Sequence, residues 1–430
     1  MTEPHGRTLQ RGATTTDTAI DTATDPATDP AIDDALARRN ALVLAGAQAL
    51  GGANPAIIIS LGGIVGQQLA DNDALATLPV SLLNLGLALG TIPAALVMRR
   101  FGRRAGYILG ATIGVLAGTI ATVGIAREAF LLFCLGTFVA GFYGSYVQSY
   151  RFAAADTASP AFKARAISWV MAGGLAAGII GPQVVILTRE AIPGAPFAGS
   201  FMAQGGLALL SILVISALRT PPAPPPRPVG AAAAPQGRPL SVIVRQGRFL
   251  IAVCAGLVSY GLMSFLMTAA PIAMVGCGLP IETAALGISW HILAMFGPAF
   301  FTGRLIERFG KETITAIGLV MIAVAAAINL GGLSVAHFWG GLILLGIGWN
   351  FGFIGATAMV TDCHRPEERA KVQGANDFLV FGSVAVASFS AGKLLDLGGW
   401  ETLNWLVFPP VAVALALVAL QARDKRIRAA

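Results

Sequence analysis

Twelve apolar stretches, each about as long as a membrane-crossing helix, alternate along this chain with short polar segments. Crossing the hydrocarbon takes about 20 apolar residues per helix. The stretches lie at approximately residues 41–66, 79–98, 105–125, 130–150, 166–187, 200–218, 249–270, 286–306, 313–331, 338–360, 372–394 and 404–421. The polar punctuation between them repeats. The loop Arg99-Arg100-Phe101-Gly102-Arg103-Arg104 returns 208 residues later as Glu307-Arg308-Phe309-Gly310-Lys311. The loop from Asp156 to Arg165 (D-x-x-x-P-x-x-K-x-R) returns 206 residues later from Asp362 to Lys371 (D-x-x-x-P-x-x-R-x-K). The pattern predicts an all-α membrane protein with twelve transmembrane helices in two pseudo-symmetric six-helix bundles. Duplicated halves of this kind predict a transporter that rocks one bundle against the other around a shared passage.

The polar ends divide the rest of the chain. Residues 1–37, rich in Thr, Asp and Ala, are expected to form a disordered cytoplasmic tail. Residues 38–218 form the first bundle and residues 248–422 the second, with a short basic tail at 423–430. Between the bundles, residues 219–247 begin Arg-Thr-Pro-Pro-Ala-Pro-Pro-Pro-Arg-Pro. Those prolines forbid a continuous helix, so the linker is expected to join the bundles without fixing their geometry. The first span starts well inside the chain, and no cleaved leader is expected.

Composition removes the soluble alternatives. The chain is 55% hydrophobic and 12% charged, with mean hydropathy +0.72, and needs lipid as its solvent. The net charge of +7 is topological. With both termini in the cytoplasm, 26 of the 29 Lys and Arg fall in inner segments, and only Arg127, Arg189 and Lys393 fall outside. That split follows the positive-inside rule and predicts a multi-pass protein of the bacterial inner membrane. The cations are scattered over six loops and two tails, which excludes a nucleic-acid-binding patch. The four cysteines form no C-x-x-C pair, and Cys363-His364 has no further ligand beside it, so neither a metal nor a cofactor is expected. The absence of H-E-x-x-H, G-x-S-x-G and a P-loop argues against a membrane enzyme or an ATP-driven pump. A monomer is the expected unit.

At this point the paired loops resemble the signature of the major facilitator superfamily, whose loop between helices 2 and 3 reads roughly G-x-x-x-D-R-x-G-R-K. In the second half Gly303, Glu307, Arg308, Gly310 and Lys311 match. In the first half Arg100, Gly102, Arg103 and Arg104 match, but Ala95 stands in the glycine position and Arg99 in the acid position. The resemblance implies a gate on the cytoplasmic side built from Arg99, Arg100, Gly102, Arg103, Asp156, Gly303, Glu307, Arg308, Gly310, Asp362 and Asp377. The family's acid grips the start of a helix in the other half, where the helix dipole is positive. Glu307 has the right sign to do this near Arg165. Arg99 has the wrong sign, so either it or Arg100 meets Asp377 when the protein faces outward, or Arg99 snorkels to the lipid headgroups. Helix 5 carries Gly181-Pro182, but the glycines that follow in drug antiporters are missing, which leaves proton-coupled export of drugs or metabolites as the second reading. Longer strings are similar to bacterial riboflavin transporters of the superfamily: Ser145-Tyr146-Val147-Gln148-Ser149-Tyr150-Arg151-Phe152, Trp290-His291, Gly348-Trp349-Asn350-Phe351-Gly352-Phe353 and Asn376-Asp377-Phe378-Leu379-Val380-Phe381-Gly382. They imply uptake of riboflavin.

The spans hold few ionisable side chains. A charge at mid-membrane costs about 2.5–3.5 kcal/mol even on insertion scales, so those present face the interior for a reason. No Arg or Lys is expected at mid-span, which disfavours anionic substrates and favours a neutral, flat, partly polar molecule. Aromatic residues occupy equivalent places in helices 4 and 10. Tyr143, Tyr146 and Gln148 on one side and Trp349 and Asn350 on the other are candidates to stack and hydrogen-bond a heteroaromatic ring. Asn54, Tyr260 and Ser264 are further candidates; the alternative for each is ordinary packing. His291 is a further substrate-binding candidate, which either carries a proton or donates one hydrogen bond to a neighbouring helix or the substrate.

Overall fold

A computed structural model of the chain describes residues 34–156, 158–219 and 237–429. Most of the expected tail and most of the linker lie outside the described residues. Every regular element among the described residues is helical. Among the described residues nine helices are long and apolar enough to cross a bilayer, and the bent pair Ile281–Phe296 and Ala299–Phe309, 43° apart, makes a tenth. Two of the nine, Asp73–Ala126 and Lys371–Arg423, run 54 and 53 residues, far beyond one crossing. The first breaks at Gly102 (φ 82°) and the second at Gly399 (φ 68°), where only glycine takes such a backbone without strain. Each is long enough for two crossings on either side of its break, and counted so the described residues hold twelve.

In chain order the crossings are α1 (Ala35–Leu69), α2 and α3 (Asp73–Ala126, on either side of Gly102), α4 (Phe130–Asp156), α5 (Arg165–Thr188) and α6 (Ala198–Ser216). The second half follows with α7 (Gly247–Gly276), α8 (Ile281–Phe296 with Ala299–Phe309), α9 (Lys311–Leu330), α10 (Val335–Thr361) and α11 and α12 (Lys371–Arg423, on either side of Gly399). Gly310, with φ 88° between α8 and α9, repeats Gly102 between α2 and α3. The loop glycines thus make the same sharp turn in both halves.

Small residues set the packing within each half. A Cβ on Gly110 would sit 2.6 Å from the Tyr146 ring, one on Gly114 2.5 Å from the Tyr143 ring, and one on Gly118 2.6 Å from the backbone of Gly205. The four-residue spacing makes one smooth face on α3 into which α4 and α6 press. Gly318 on α9 meets the backbone of Gly348 and Gly352 on α10 in the same manner.

The ends of the expected tail and of the linker differ from expectation. The first helix begins at Asp34, inside the expected tail, because Ala37 is buried there, Asn40 Nδ2 donates to the Arg219 carbonyl (2.8 Å), and Arg39 donates to that of Ala217 (3.2 Å). The far end of the linker is anchored. Arg238 donates from Nε and Nη2 to the buried Glu368 carboxylate (2.9 and 2.8 Å), and its backbone N–H donates to the same group at 2.7 Å. The Arg238 guanidinium holds the Glu368 carboxyl well below the usual carboxylate range. A short helix, Leu240–Val244, leads from this anchor into α7.

Candidate functional site

The two halves meet at the face opposite the basic loops. Thr77 Oγ1, at the start of α2, donates to the Phe389 carbonyl on α11 (3.3 Å) and accepts from the Gly392 N–H (3.1 Å). Asn84 Nδ2 donates to Ser388 Oγ at 2.9 Å, and Arg189 pairs with Glu282 at 2.5 Å between the ends of α5 and α8 on that face. On the basic face each half carries an ion pair between its own two duplicated loops: Arg103 with Asp156, and Lys311 with Asp362 at 2.5 Å. The repeat read in the sequence is therefore a repeated ion pair. Arg99, Arg100, Glu307, Arg308 and Asp377 are exposed. Neither expected closing contact, Glu307 near Arg165 or Arg99 and Arg100 with Asp377, is formed. Gly303 has open space around it. This is a conformation closed at one face and unlatched at the basic face.

Between the halves lies a cleft of about 1160 Å³, part of it open to solvent. Its walls come from α1, α2, α4 and α5 on one side and α7, α8 and α11 on the other, and are mostly apolar, with Met171, Met263, Met267, Met295 and Phe296 among them. Of the candidates from sequence, Asn54, Gln148, Tyr260 and Ser264 line the cleft. Gln148 is exposed into it. Asn54 Nδ2 donates to the Ala140 carbonyl (3.2 Å), which ties α1 to α4. Ser264 Oγ lies 2.8 Å from Ser388 Oγ and joins the polar cluster that Asn84 completes at the closed end. Tyr260 stands against the rings of Trp349 and Phe353, at 5.3 and 5.0 Å.

Five candidates lie outside the lining. Tyr143 and Tyr146 are turned into the first half, where Gly114 and Gly110 leave space for their rings. Trp349 sits behind Tyr260, stacked on Phe353 at 5.5 Å. Asn350 is fully engaged between helices, donating to the Met295 carbonyl and accepting from Thr302 Oγ1, both at 2.6 Å. His291 is buried on the seam between α8 and α10 and donates from Nδ1 to the Leu342 carbonyl at 2.6 Å. Nδ1 thus makes a hydrogen bond to a neighbouring helix, while Nε2 is buried without a partner among the described residues.

Sequence reading missed three polar lining residues, Gln48, Asn84 and Arg151. For Gln48 and Asn84 the chance of detection was low because a lone amide on an apolar helix carries no pattern. Arg151 was missed for another reason. Its place just past the expected end of helix 4 put it with the basic loop, but α4 continues through a short turn at Ser149 to Asp156, so Arg151 reaches the cleft. Arg151 thus places a cation in the lining near the basic-loop end of α4, away from the mid-span positions where no Arg or Lys was expected. Among the described residues no group of three or more His, Cys, Asp and Glu side chains is placed to hold a metal.

The family model for the Major Facilitator Superfamily matches residues 41–328 and again 293–429. The chain belongs to the Major Facilitator Superfamily. Within this superfamily it is 63% identical, over 90% of its own length and 97% of the other's, to a protein of Brucella anthropi named riboflavin transporter RfnT. It is 29% identical, over 86% of its length and 87% of the relative's, to an uncharacterized MFS-type transporter, YddS, of Bacillus subtilis. Among solved structures, the nucleoside transporter NupG matches with a TM-score of 0.64 over 91% of this chain and 99% of that one, at 15% identity, which speaks for the fold alone. As an MFS member the protein is a multi-pass membrane transporter.

Proposed function

We propose that this chain carries riboflavin into the bacterial cytoplasm by alternating access, with the basic face and both termini on the cytoplasmic side of the inner membrane. The identity of 63% along nearly the whole of the riboflavin transporter from Brucella anthropi carries this reading. The cleft adds support. An apolar volume with a few separated polar groups suits a flat heteroaromatic molecule with a polar edge and a hydroxylated tail. Tyr260 offers a ring face, while Asn54, Gln148 and Ser264 offer hydrogen bonds. The exposed Arg99, Glu307 and Asp377 on the unlatched face are the groups proposed to close it when the opposite face opens. The protein is taken to work as a monomer, because each chain holds both bundles and the cleft between them.

The test is complementation. A riboflavin auxotroph lacking its own uptake system is expected to grow on low riboflavin when this chain is expressed. Unchanged growth, together with increased tolerance to toxic compounds, would overturn the importer reading in favour of export.

A further inference from the structure

Arg151 is the one charged residue in the cleft lining among the described residues. Its Nε is buried without a partner, and among the described residues no hydrogen bond or ion pair engages its side chain. Its cation rests 4.9 Å from the centre of the Phe152 ring, and Tyr260 and Asp377 of the other half lie within electrostatic range without touching it. A guanidinium at a passage wall with no counter-ion in contact is costly unless something arrives to use it.

Its geometry limits what that is. The planar fork presents parallel N–H donors that match two acceptors lying side by side in one plane. A ring nitrogen beside a carbonyl oxygen is such a pair, and an isoalloxazine ring carries it on more than one edge. Tyr260, across from Arg151, can cover the face of a ring whose edge Arg151 holds. A lysine in the same place would keep the charge but lose the fork. We infer that Arg151 is the specificity-determining residue of the cleft, and that it selects planar heteroaromatic substrates by the acceptor pair on their edge. This rests on the riboflavin reading above.

The test compares wild type, Arg151→Lys and Arg151→Gln in uptake of riboflavin, with 1-deazariboflavin and 5-deazariboflavin as competitors. Each analogue replaces one ring nitrogen beside a carbonyl by C–H. The wild type is expected to bind at least one analogue roughly tenfold or more weakly, the effect of one hydrogen bond to a charged group. In both variants the KM for riboflavin rises by a similar factor, the maximal rate changes little, and the preference over that analogue falls to near one. Equal melting temperatures and membrane levels show that the variants fold. The inference is overturned if the wild type treats all three flavins alike, or if the preference survives in Arg151→Gln. It is also overturned if Asp377→Asn reproduces the Arg151→Gln defect and the double variant is no worse, since the pair would then act as a gate. A wild type that transports no riboflavin overturns the importer reading as well, which separates the two failures.

Discussion

Thr77 offers the most direct way to unbalance the two faces. Its hydroxyl is fully buried and bonds twice across the interface, to Phe389 and Gly392. Both bonds join opposite halves, so they exist only while that face is closed. Each contributes about 0.5–1.5 kcal/mol net, and Thr77→Val, which keeps the shape, removes about 1–3 kcal/mol from the closed state alone. At the middle of that range the closed-to-open ratio falls roughly thirtyfold, since about 1.4 kcal/mol is a factor of ten. Gly392→Ala attacks the same contact from the other side, because its Cβ would lie 2.3 Å from Thr77 Oγ1 and 2.9 Å from Cγ2. The assay is labelling of Met263→Cys, in the cleft, by an impermeant maleimide applied to the face opposite the termini, with the exposed Cys277 replaced by Ser. Labelling is expected to speed up about tenfold or more in either variant, and the two together should add less than their sum because they break one contact. Labelling no faster than in the parent, from folded protein, would refute the argument that this contact holds the face shut.

Three further outcomes follow from the structure. Glu368 is held below the ordinary carboxylate value of 4.5, so its contribution is complete above that pH and is lost as the pH falls through the depressed value. Melting curves of wild type and Glu368→Gln should therefore differ by a constant amount from pH 8 to about 5, and converge only below. His291→Gln should leave the pH profile of uptake between about 5.5 and 8 unchanged and lower stability by about 1 kcal/mol, the value of one hydrogen bond; a flattened profile would restore the proton-carrier reading. Gly102→Ala meets no neighbour within 4 Å, so its cost is purely backbone, about 1–3 kcal/mol, and should appear as a lower melting temperature.

The halves and their loops were legible because they rest on spacing. An acid and a cation that recur with the same register in both copies turn out to be Arg103 with Asp156 and Lys311 with Asp362. The rotation of each helix was not legible, because spans that are apolar all round carry little amphipathic signal. Tyr143, Tyr146 and Gln148 share one stretch of α4, yet only Gln148 reaches the cleft. What turns the two tyrosines away is the glycine face on α3, a feature remote in sequence from α4. Arg151 was misplaced for a different reason. Its charge drew the expected helix end inward, whereas the helix carries the cation along the passage wall.

The central claim is that this polypeptide alone moves riboflavin through a passage between its two bundles. Purified protein in liposomes loaded with unlabelled riboflavin is predicted to accumulate external labelled riboflavin by exchange, saturably, and more slowly with Arg151→Gln. Uptake equal to that of protein-free liposomes, from protein shown to be folded and inserted, would contradict it.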